Sequence, residues 1–454
     1  MHISPRGLLN DLRTNLKPRE LFYWCLGNGV YLAFRLSMRV ELHGMAEHFS
    51  PSAPSTLVIG AHKRDWDPIL FAAYGHYPQG WLAPNGHRMA FTGRSDLWEP
   101  GFLATVVSYK GWPLWLQHLL DPINFTPVAN LMRGYPILRI PEYTLRQYLR
   151  AVLKDEGDLP LEQVLSERTL ALFAQGEQMY RQQRGKSAAG GAGALTVSQA
   201  LRWAYHPLTR RSIRAGMLAS GRYERLREAW RVQVGQQMDT LARVIERGDP
   251  LWFSPEGAVS LDGRPLRLRS GLHTLLAKVG PEVRCLPANF AYDFMASKRR
   301  MIVCVGVGPA LKMVQGLEQG ELSERVAPTM TRQTVVTMSQ LGSARLMAHL
   351  AEQHLAFDPQ EELPILAAQV RRLAELGAII QRDLLSEREL RERLRAFLGY
   401  CQKHGLLLPE EGGRYRIVAE AITGTRSSTF WENPVRYSAN ELAALEEALQ
   451  PPVT

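Results

Sequence analysis

The sequence has 454 residues, which is too long for a chain with a single small hydrophobic core. Its residues are 45% hydrophobic and 22% charged, a composition that excludes a disordered or fibrous protein. Its 54 basic residues outnumber its 44 acidic ones, and the formal charge of +10 favours an anionic partner: nucleic acid, an anionic lipid surface or a phosphorylated substrate. The four cysteines have no metal-ligand or redox spacing, which predicts a reducing compartment without a disulfide framework.

Residues 1–45 are predicted to form interfacial or packing helices. Their longest apolar stretch, LFYWCLGNGVYLAF at residues 21–34, is interrupted by Gly-Asn-Gly. It is also shorter than the roughly 20 residues that a membrane span needs. We therefore expect neither a secretory signal nor a span, but a helix that lies at a membrane interface or is buried in the core.

A strand, a histidine and a helix start are predicted in close succession. The stretch TLVIGA at residues 56–61 is typical of a buried strand, and Asp67 with Pro68 is typical of a helix start. Ligands of open α/β sheets bind at the carboxyl ends of the strands, where His62 would lie. At such a corner the Asp67 carboxylate can orient the His62 imidazole, which can then take a proton from a hydroxyl. A capping aspartate beside an incidental histidine explains the same residues.

Residues 46–328 are predicted to form an α/β domain. Short apolar runs alternate with turn residues over 55–140 and again over 250–310. This alternation predicts a mixed, largely parallel sheet flanked by helices. The region between the two blocks, at about 143–245, has a helical pattern and is predicted to be an insertion.

The basic charge is concentrated in the insertion. From residue 181 to residue 231 there are eleven basic and two acidic residues, with Trp203 and Trp230 among them. This concentration predicts a face that meets phosphates such as lipid headgroups. A solvated basic surface without a partner is the alternative. The proposed membrane-contact residues of this segment are Arg210, Arg211 and Arg214.

A second predicted membrane contact is YKGWPLWLQHLLDPINF at residues 109–125. It combines Trp112, Trp115 and several leucines with a lysine, as interfacial segments do. Burial of this segment against the sheet explains the same composition.

Residues 329–454 are predicted to form a mostly helical, winged-helix-like unit. Ser386 and Glu389 have the spacing of a capping box, Gly405 would stop the helix, and a hairpin is expected around Gly412. The basic and acidic residues of this segment are nearly balanced, which favours packing or protein interaction over DNA binding.

Further polar residues follow other predicted strands. Arg139 follows Gly134 in RGYPILRI and offers a guanidinium fork suited to phosphate. Glu256 and Gly257 belong to the stretch SPEG, which directly follows the apolar run LWF, and basic residues come after this stretch. Pro287 ends another apolar run.

Four blocks follow one another along the chain: His62 with Asp67, Gly134 with Arg139, Glu256 with Gly257, and Pro287. In this order they resemble the glycerolipid acyltransferase family, the glycerol-3-phosphate and 1-acylglycerol-3-phosphate O-acyltransferases, over roughly residues 50–310. The stretches AHKRDWDP and FSPEG make the resemblance specific. It implies that His62 is the general base and that Asp67 orients it.

The resemblance also implies an acceptor and a donor site. The acceptor's glycerol phosphate would be bound by Arg139 and by the block of Glu256 and Gly257, with Ser260 matching the family's serine. Pro287 marks the fourth block, near the acyl donor. Ala258 and Val259 stand where the family has threonine and arginine, and Arg267 or Arg269 is expected to replace that arginine.

The implied function is that of a peripheral membrane acyltransferase on the cytoplasmic face. It would move a fatty acyl group from acyl-CoA or acyl-carrier protein to a hydroxyl of 1-acylglycerol-3-phosphate or glycerol-3-phosphate in phospholipid synthesis, without a metal or another cofactor. One alternative is a catalytically inactive lipid-binding or scaffold protein of the same fold. The other is a nucleic-acid-binding protein that uses the basic segment and the winged-helix-like tail.

Overall fold

The structure, a computed structural model, describes residues 18–50, 53, 55–76, 88–98, 113–120, 123–124, 126–138, 140, 143–183, 195–202, 205–297, 300–312, 314–424 and 433–450. The chain forms two compact units. The larger is drawn from residues 1–93, 98–135 and 238–454, and the smaller from 94–97 and 136–237. The smaller unit overlaps the insertion predicted at about 143–245, whereas the predicted boundaries near residues 45 and 328 stay predictions.

In the described part of the chain, seven strands form one sheet: β1 (Met38–His43), β2 (Thr56–Gly60), β3 (Ala90–Arg94), β4 (Gly134–Ile137), β5 (Leu251–Phe253), β6 (Arg284–Asp293) and β7 (Met301–Val307). Their order is β1-β7-β6-β2-β5-β3-β4. Strand β2 is parallel to β5 and β6, and β3 is parallel to β5. Strand β7 is antiparallel to β6 and parallel to β1. The predicted mixed, largely parallel sheet is therefore confirmed, and β1 and β7 begin at the edge where β2 and β6 end.

Helices flank this sheet. Those that precede the insertion are α1 (Pro18–Ser37), α2 (Met45–His48), α3 (Asp67–His76), α4 (Leu114–Leu120) and α5 (Thr126–Leu131). After the insertion, α11 (Gly271–Leu276) lies between β5 and β6. All five residues of β2 and nine of the ten in β6 are buried. Strands covered on both faces read as continuous apolar runs, which is why the sequence revealed them.

The strands pack through an aromatic cluster. The ring of Trp252 lies 5.0 Å from that of Phe71 and 5.6 Å from that of Phe290. Trp252 also covers Gly60, because a Cβ atom at Gly60 would lie only 1.9 Å from the indole. Glycine at the end of β2 is therefore required for the strand to sit beside this ring.

The smaller unit has a core of its own. It contains α6 (Leu145–Asp155), α7 (Glu167–Gln183), α8 (Val197–Ala200), α9 (His206–Thr209) and the beginning of α10 (Arg222–Glu246). Trp230 is only 2% exposed and belongs to this core with Leu149 and Phe173. Its expected place on a phosphate-binding face is therefore wrong: an indole among aliphatic and aromatic side chains stabilises the unit by burial. Trp203 lies outside the described residues.

The C-terminal region is helical with a small sheet. Its helices are α12 (Gln319–Thr331), α13 (Met338–Ala351), α14 (Pro359–Glu375), α15 (Glu387–Lys403), α16 (Ala419–Thr423) and α17 (Pro434–Leu449). Its strands are β8 (Val335–Val336), β9 (Ala356–Phe357), β10 (Ile379–Ile380), β11 (Leu407–Pro409) and β12 (Tyr415–Ile417).

The order α13-β9-α14-α15-β11-β12 is that of a winged helix. Strand β12 pairs antiparallel with both β11 and β9. Gly412 and Gly413 take left-handed φ angles of 74° and 80° in the hairpin between β11 and β12, as glycine allows. The predicted mostly helical C-terminal region is confirmed, and the order of its elements is winged-helix-like. The predicted capping box is wrong, because the Ser386 side chain makes no capping hydrogen bond at the start of α15.

The N-terminal helix α1 is both packed and exposed. Its Val30 and Phe34 pack against the buried Ala73, whereas Leu32 and Leu36 are exposed. Across the described part of the chain, no helix combines the length and the apolar composition needed to cross a membrane.

We predict that Gly60→Ala destabilises the protein. The added methyl group would overlap the buried Trp252 ring, and overpacking of this kind costs about 1–3 kcal/mol. The matched control is Gly399→Ala in α15, where a Cβ atom would meet no heavy atom within 4 Å. That change should raise the free energy of unfolding by roughly 0.5–1 kcal/mol. Urea unfolding followed by circular dichroism measures both, and equal stability of the two variants would contradict the prediction.

Candidate active site

The strand, turn and helix predicted around His62 are present. Strand β2 ends at Gly60, the Ala61 N–H donates to the Ala288 carbonyl on β6 at 3.2 Å, and α3 begins at Asp67. The intervening turn contains His62. His62 therefore lies just beyond the carboxyl end of a central strand, as the sequence predicted.

Asp67 holds this turn from inside the protein. Its Oδ2 accepts hydrogen bonds from the backbone N–H groups of Lys63 and Arg64, each at 2.7 Å. Its Oδ1 accepts a hydrogen bond from the Tyr292 hydroxyl at the end of β6. Burial raises the pKa of Asp67 to about 7, against the opposing effect of these hydrogen bonds. The carboxyl group thus fixes the backbone of the two residues that follow His62.

The imidazole of His62 lies between two carboxylates. Its Nδ1 is 3.9 Å from Asp67 Oδ2, and its Nε2 is 3.9 Å from Asp65 Oδ1. Both distances are longer than a hydrogen bond of roughly 2.7–3.2 Å. The His62 side chain is 12% exposed and that of Asp65 is 91% exposed. Catalytic hydrogen bonds are commonly long without substrate and tighten when it binds, so the pair is placed for contact.

Glu256 connects the third sequence block to the first. It follows β5, and its Oε2 accepts a hydrogen bond from the His62 backbone N–H at 3.1 Å across a separation of 194 residues. Its Oε1 accepts one from the Leu266 N–H at 2.8 Å. Burial raises the pKa of Glu256, although the nearby Lys63 ammonium acts to lower it. Glu256 therefore braces the His62 turn and its own loop together.

Gly257 and Arg269 lie in contact. Gly257 has a φ angle of +67°, and a Cβ atom there would lie 3.0 Å from Arg269 Cδ and Nε. The Arg269 N–H also donates to the Pro255 carbonyl at 2.9 Å. The exposed Arg269 side chain thus crosses the turn that contains Glu256. The expected replacement of the family's arginine by Arg269 stays a prediction.

Ser260 lies within its own turn. It is 1% exposed, and its hydroxyl donates to the Arg264 carbonyl at 2.7 Å while accepting the Gly263 N–H at 3.1 Å. These bonds stabilise the loop that follows β5. The implied role of Ser260 in acceptor binding stays a prediction.

Pro287 lies inside a strand rather than at its end. It pairs with Ile59 in the middle of β6, and its carbonyl accepts the Gly308 N–H at 2.9 Å. The part of β6 that reaches the site is Tyr292, five positions further on. Arg139 and Trp112 lie outside the described residues.

A buried ion pair lies beside His62 that no sequence pattern predicted. Lys63 is 5% exposed, and its Nζ lies 3.1 Å from Glu441 Oε1 on α17. Glu441 also accepts a hydrogen bond from Gln340 at 2.7 Å, and the ring of Tyr437 lies 5.9 Å from the Lys63 ammonium. Burial acts to lower the pKa of Lys63, but the Tyr437 hydroxyl and the two nearby carboxylates outweigh it and raise the pKa. Lys63 therefore remains charged inside the protein.

A small cavity lies beside this ion pair. It is lined by Lys63, Glu256 and Glu441, among others, and its volume is about 10 Å³. That is room for about one water molecule rather than for a substrate. The carboxylates of Glu256 and Glu441 are thus parts of the support beneath the His62 turn.

Of the missed residues, only Tyr292 carried a signal. It ends the apolar run VRCLPANFAY, and a polar group at the carboxyl end of a predicted strand is a candidate for the site. Glu441 lies in an ordinary helical pattern far along the chain, so no local feature distinguishes it.

The predicted membrane-contact residues that the structure describes, all but Trp112, occupy surface positions. Trp115 in α4 is 67% exposed, and Leu119 on the next helical turn is 61% exposed. In the smaller unit, Arg211 and Arg214 are exposed and Arg210 is half-buried.

The sequence matches no protein-family model and no curated protein. The geometry of the residues around His62 therefore has to support any functional assignment.

We predict that Asp67→Asn flattens the dependence of stability on pH. The folded-state pKa of Asp67 is near 7 and exceeds the ordinary value of about 3.9. The stability gained from its protonation is complete below pH 4 and is lost as the pH rises through 7. The free energy of unfolding of the wild type, minus that of Asp67→Asn, should therefore fall by a few kcal/mol between pH 4 and pH 7.5.

Urea unfolding at a series of pH values measures this difference. The control is Asp65→Asn, because the Asp65 carboxylate is almost fully exposed. Its stability curve should run parallel to that of the wild type. A wild-type curve that also runs parallel to that of Asp67→Asn would contradict the prediction.

Proposed function

We propose that the protein is a membrane-associated O-acyltransferase. The observation that supports this most directly is the hydrogen bond from the His62 N–H to Glu256. It joins the two most specific blocks of the family resemblance, which are far apart in the sequence, at the carboxyl end of β2. A turn that presents His62 beside a buried Asp67, with Arg269 over the neighbouring loop, suits a hydroxyl acceptor that carries a phosphate.

In the proposed reaction His62 removes a proton from a hydroxyl of the acceptor. The oxygen attacks the thioester carbonyl of acyl-CoA or acyl-carrier protein to form a tetrahedral intermediate. The C–S bond then breaks, the ester remains on the acceptor, and the proton passes from His62 to the departing thiolate. Asp67, when ionised, would orient and stabilise the imidazolium. No nucleophilic side chain is needed, so no acyl-enzyme is expected.

The acceptor would be glycerol-3-phosphate or 1-acylglycerol-3-phosphate. Arg269 is a described cation beside the Glu256 loop that suits its phosphate: the side chain is exposed while its stem is held against Gly257. A guanidinium group can bind two phosphate oxygens at once.

We predict that His62→Ala removes acyl transfer. Loss of a general base lowers the rate by about 100-fold or more. The measurement is release of free thiol from a long-chain acyl-CoA, with glycerol-3-phosphate and lysophosphatidate as separate acceptors. The control is His404→Ala, which alters an exposed histidine beyond α15 and should leave the rate unchanged.

The outcome also decides between the first two functions. Thiol release that requires one acceptor and is lost in His62→Ala supports the transferase and identifies the acceptor. If no thiol is released with either acceptor, and the same holds with acyl-carrier protein as donor, a lipid-binding or scaffold protein of the same fold would be favoured. The absence of the family's Thr-Arg pair at Ala258 and Val259 is the observation that favours this second function.

A role in binding nucleic acid has less support. In winged helices of the helix-turn-helix class the recognition helix enters the major groove. Helix α15, which holds that position here, exposes Glu387, Glu389 and Glu392 beside its arginines. Its Arg393 forms an ion pair with Asp293 at the end of β6. Acidic side chains on this helix would repel a phosphate backbone.

We propose that the protein binds the cytoplasmic face of a membrane peripherally. Trp115 and Leu119, one helical turn apart and both exposed, suit insertion at the headgroup level. Basic side chains such as Arg211 and Arg214 suit attraction to anionic lipid.

We predict that Trp115→Ala, and separately the double variant Arg211→Gln with Arg214→Gln, weaken binding to vesicles that contain anionic lipid. Vesicle sedimentation measures the bound fraction. The arginine effect should be larger at low salt, because salt screens exposed charges. The control double variant changes Arg371 and Arg395, which are exposed on α14 and α15. Equal loss in that control would show that only net charge matters and would remove the assigned role of the insertion.

A further inference from the structure

A second cavity lies at the edge of the sheet where β1 and β7 begin. Its volume is about 430 Å³, and Arg35, Arg39, Arg300 and Arg393 line it together with Tyr31 and Tyr74. Sites for small molecules have volumes of roughly 300–1,000 Å³. The cavity is therefore large enough for a ligand, whereas the space beside Lys63 is not.

Carboxylates neutralise two of the four arginines. Arg39 forms a bidentate pair with Asp383, with distances of 2.6 and 2.7 Å. Arg393 is paired with Asp293, which is fully buried at the end of β6. Among the described residues that line the cavity, none is acidic.

The other two arginines lack such partners. Within the described ranges, neither Arg35 nor Arg300 forms an ion pair, and both side chains are exposed. One contact links them, because Arg300 Nη1 donates to the Arg35 backbone carbonyl at 3.0 Å. In addition, the buried Nε of Arg393 has no hydrogen-bond partner among the residues that the structure describes. The cavity thus retains an excess of positive charge and an unused guanidinium donor.

Apart from Ser297, the remainder of the described wall is apolar and aromatic. The rings of Tyr31 and Tyr74 lie 5.0 Å apart, and Met38, Val40 and Ile302 complete this side. On α1, next to Arg35 in the sequence, Leu36 is 68% exposed. A cationic pocket with an apolar wall and exposed leucine nearby is suited to a molecule that has both a phosphate and a hydrocarbon part.

We propose that this cavity is a binding site for a phosphate group borne by an amphiphile. The guanidinium groups of Arg35 and Arg300 would bind the phosphate oxygens, since planar forks match that geometry. The tyrosines and Ile302 would contact the part of the ligand next to the phosphate. The recognised chemistry, a doubly charged phosphate, could also come from free phosphate. The inference concerns binding and does not depend on the proposed acyl transfer.

The test is isothermal titration calorimetry of the full chain with three probes. Dioctanoyl phosphatidic acid has both a phosphate and acyl chains. Inorganic phosphate has no acyl chains, and dioctanoylglycerol has no phosphate. We expect Arg35→Gln and Arg300→Gln each to weaken binding of the phosphatidic acid by about tenfold, because each removes a charge-assisted hydrogen bond. Arg388→Gln is the matched control, since Arg388 is 89% exposed and lies on the same helix as Arg393.

The three probes separate the possible sources. Tighter binding of the phosphatidic acid than of either other probe supports an amphiphile. Equal affinity for inorganic phosphate supports the phosphate site with a free phosphate as its ligand. Equal affinity for dioctanoylglycerol would overturn recognition of phosphate, and so would unchanged affinity in Arg35→Gln and Arg300→Gln when circular dichroism shows that both are folded.

Two further variants make the assignment specific. Arg35→Lys keeps the charge but loses the planar fork, so its affinity should fall between those of the wild type and Arg35→Gln. Arg269→Gln alters the candidate active site and should retain the binding that Arg35→Gln loses. Loss of that binding in Arg269→Gln would assign it to the active site and overturn a second site.

Discussion

The conformation of the candidate site depends on the buried carboxyl group of Asp67. It accepts hydrogen bonds from the backbone N–H groups of Lys63 and Arg64 and from the hydroxyl of Tyr292. Without these acceptors, two amides and a phenol would be left unsatisfied in the interior, which is costly. The turn therefore takes the one shape in which all three reach Asp67. That shape also directs the side chain of His62 to the edge of the sheet and its N–H to Glu256.

A second constraint is the balance of charge beneath the turn. A buried ammonium is stable only when carboxylates compensate for its lost hydration. Lys63 has Glu441 at 3.1 Å, and Glu256 acts on it from the loop that follows β5. The winged-helix region is followed by α17, which supplies the Glu441 carboxylate.

Much of the fold was predictable because its strands are buried on both faces. The continuous apolar runs of β2, β6 and β7 are visible without any knowledge of their neighbours, and the Asp67-Pro68 pair marks the next helix. The contacts of Tyr292 and Glu441 were not predictable, since each forms across a large sequence separation. Trp230 shows the opposite problem: basic neighbours in the sequence indicated a surface, whereas helical periodicity turns the indole into the core.

The Lys63–Glu441 pair has a consequence for folding during synthesis. Lys63 is made early and Glu441 late, so the ammonium has no carboxylate from α17 while most of the chain is being translated. Contacts of such long sequence separation form slowly, because the intervening chain must first be ordered. Until α17 docks, the turn that carries His62 can remain hydrated and open. The nascent protein would thus complete its sheet before it completes its candidate site.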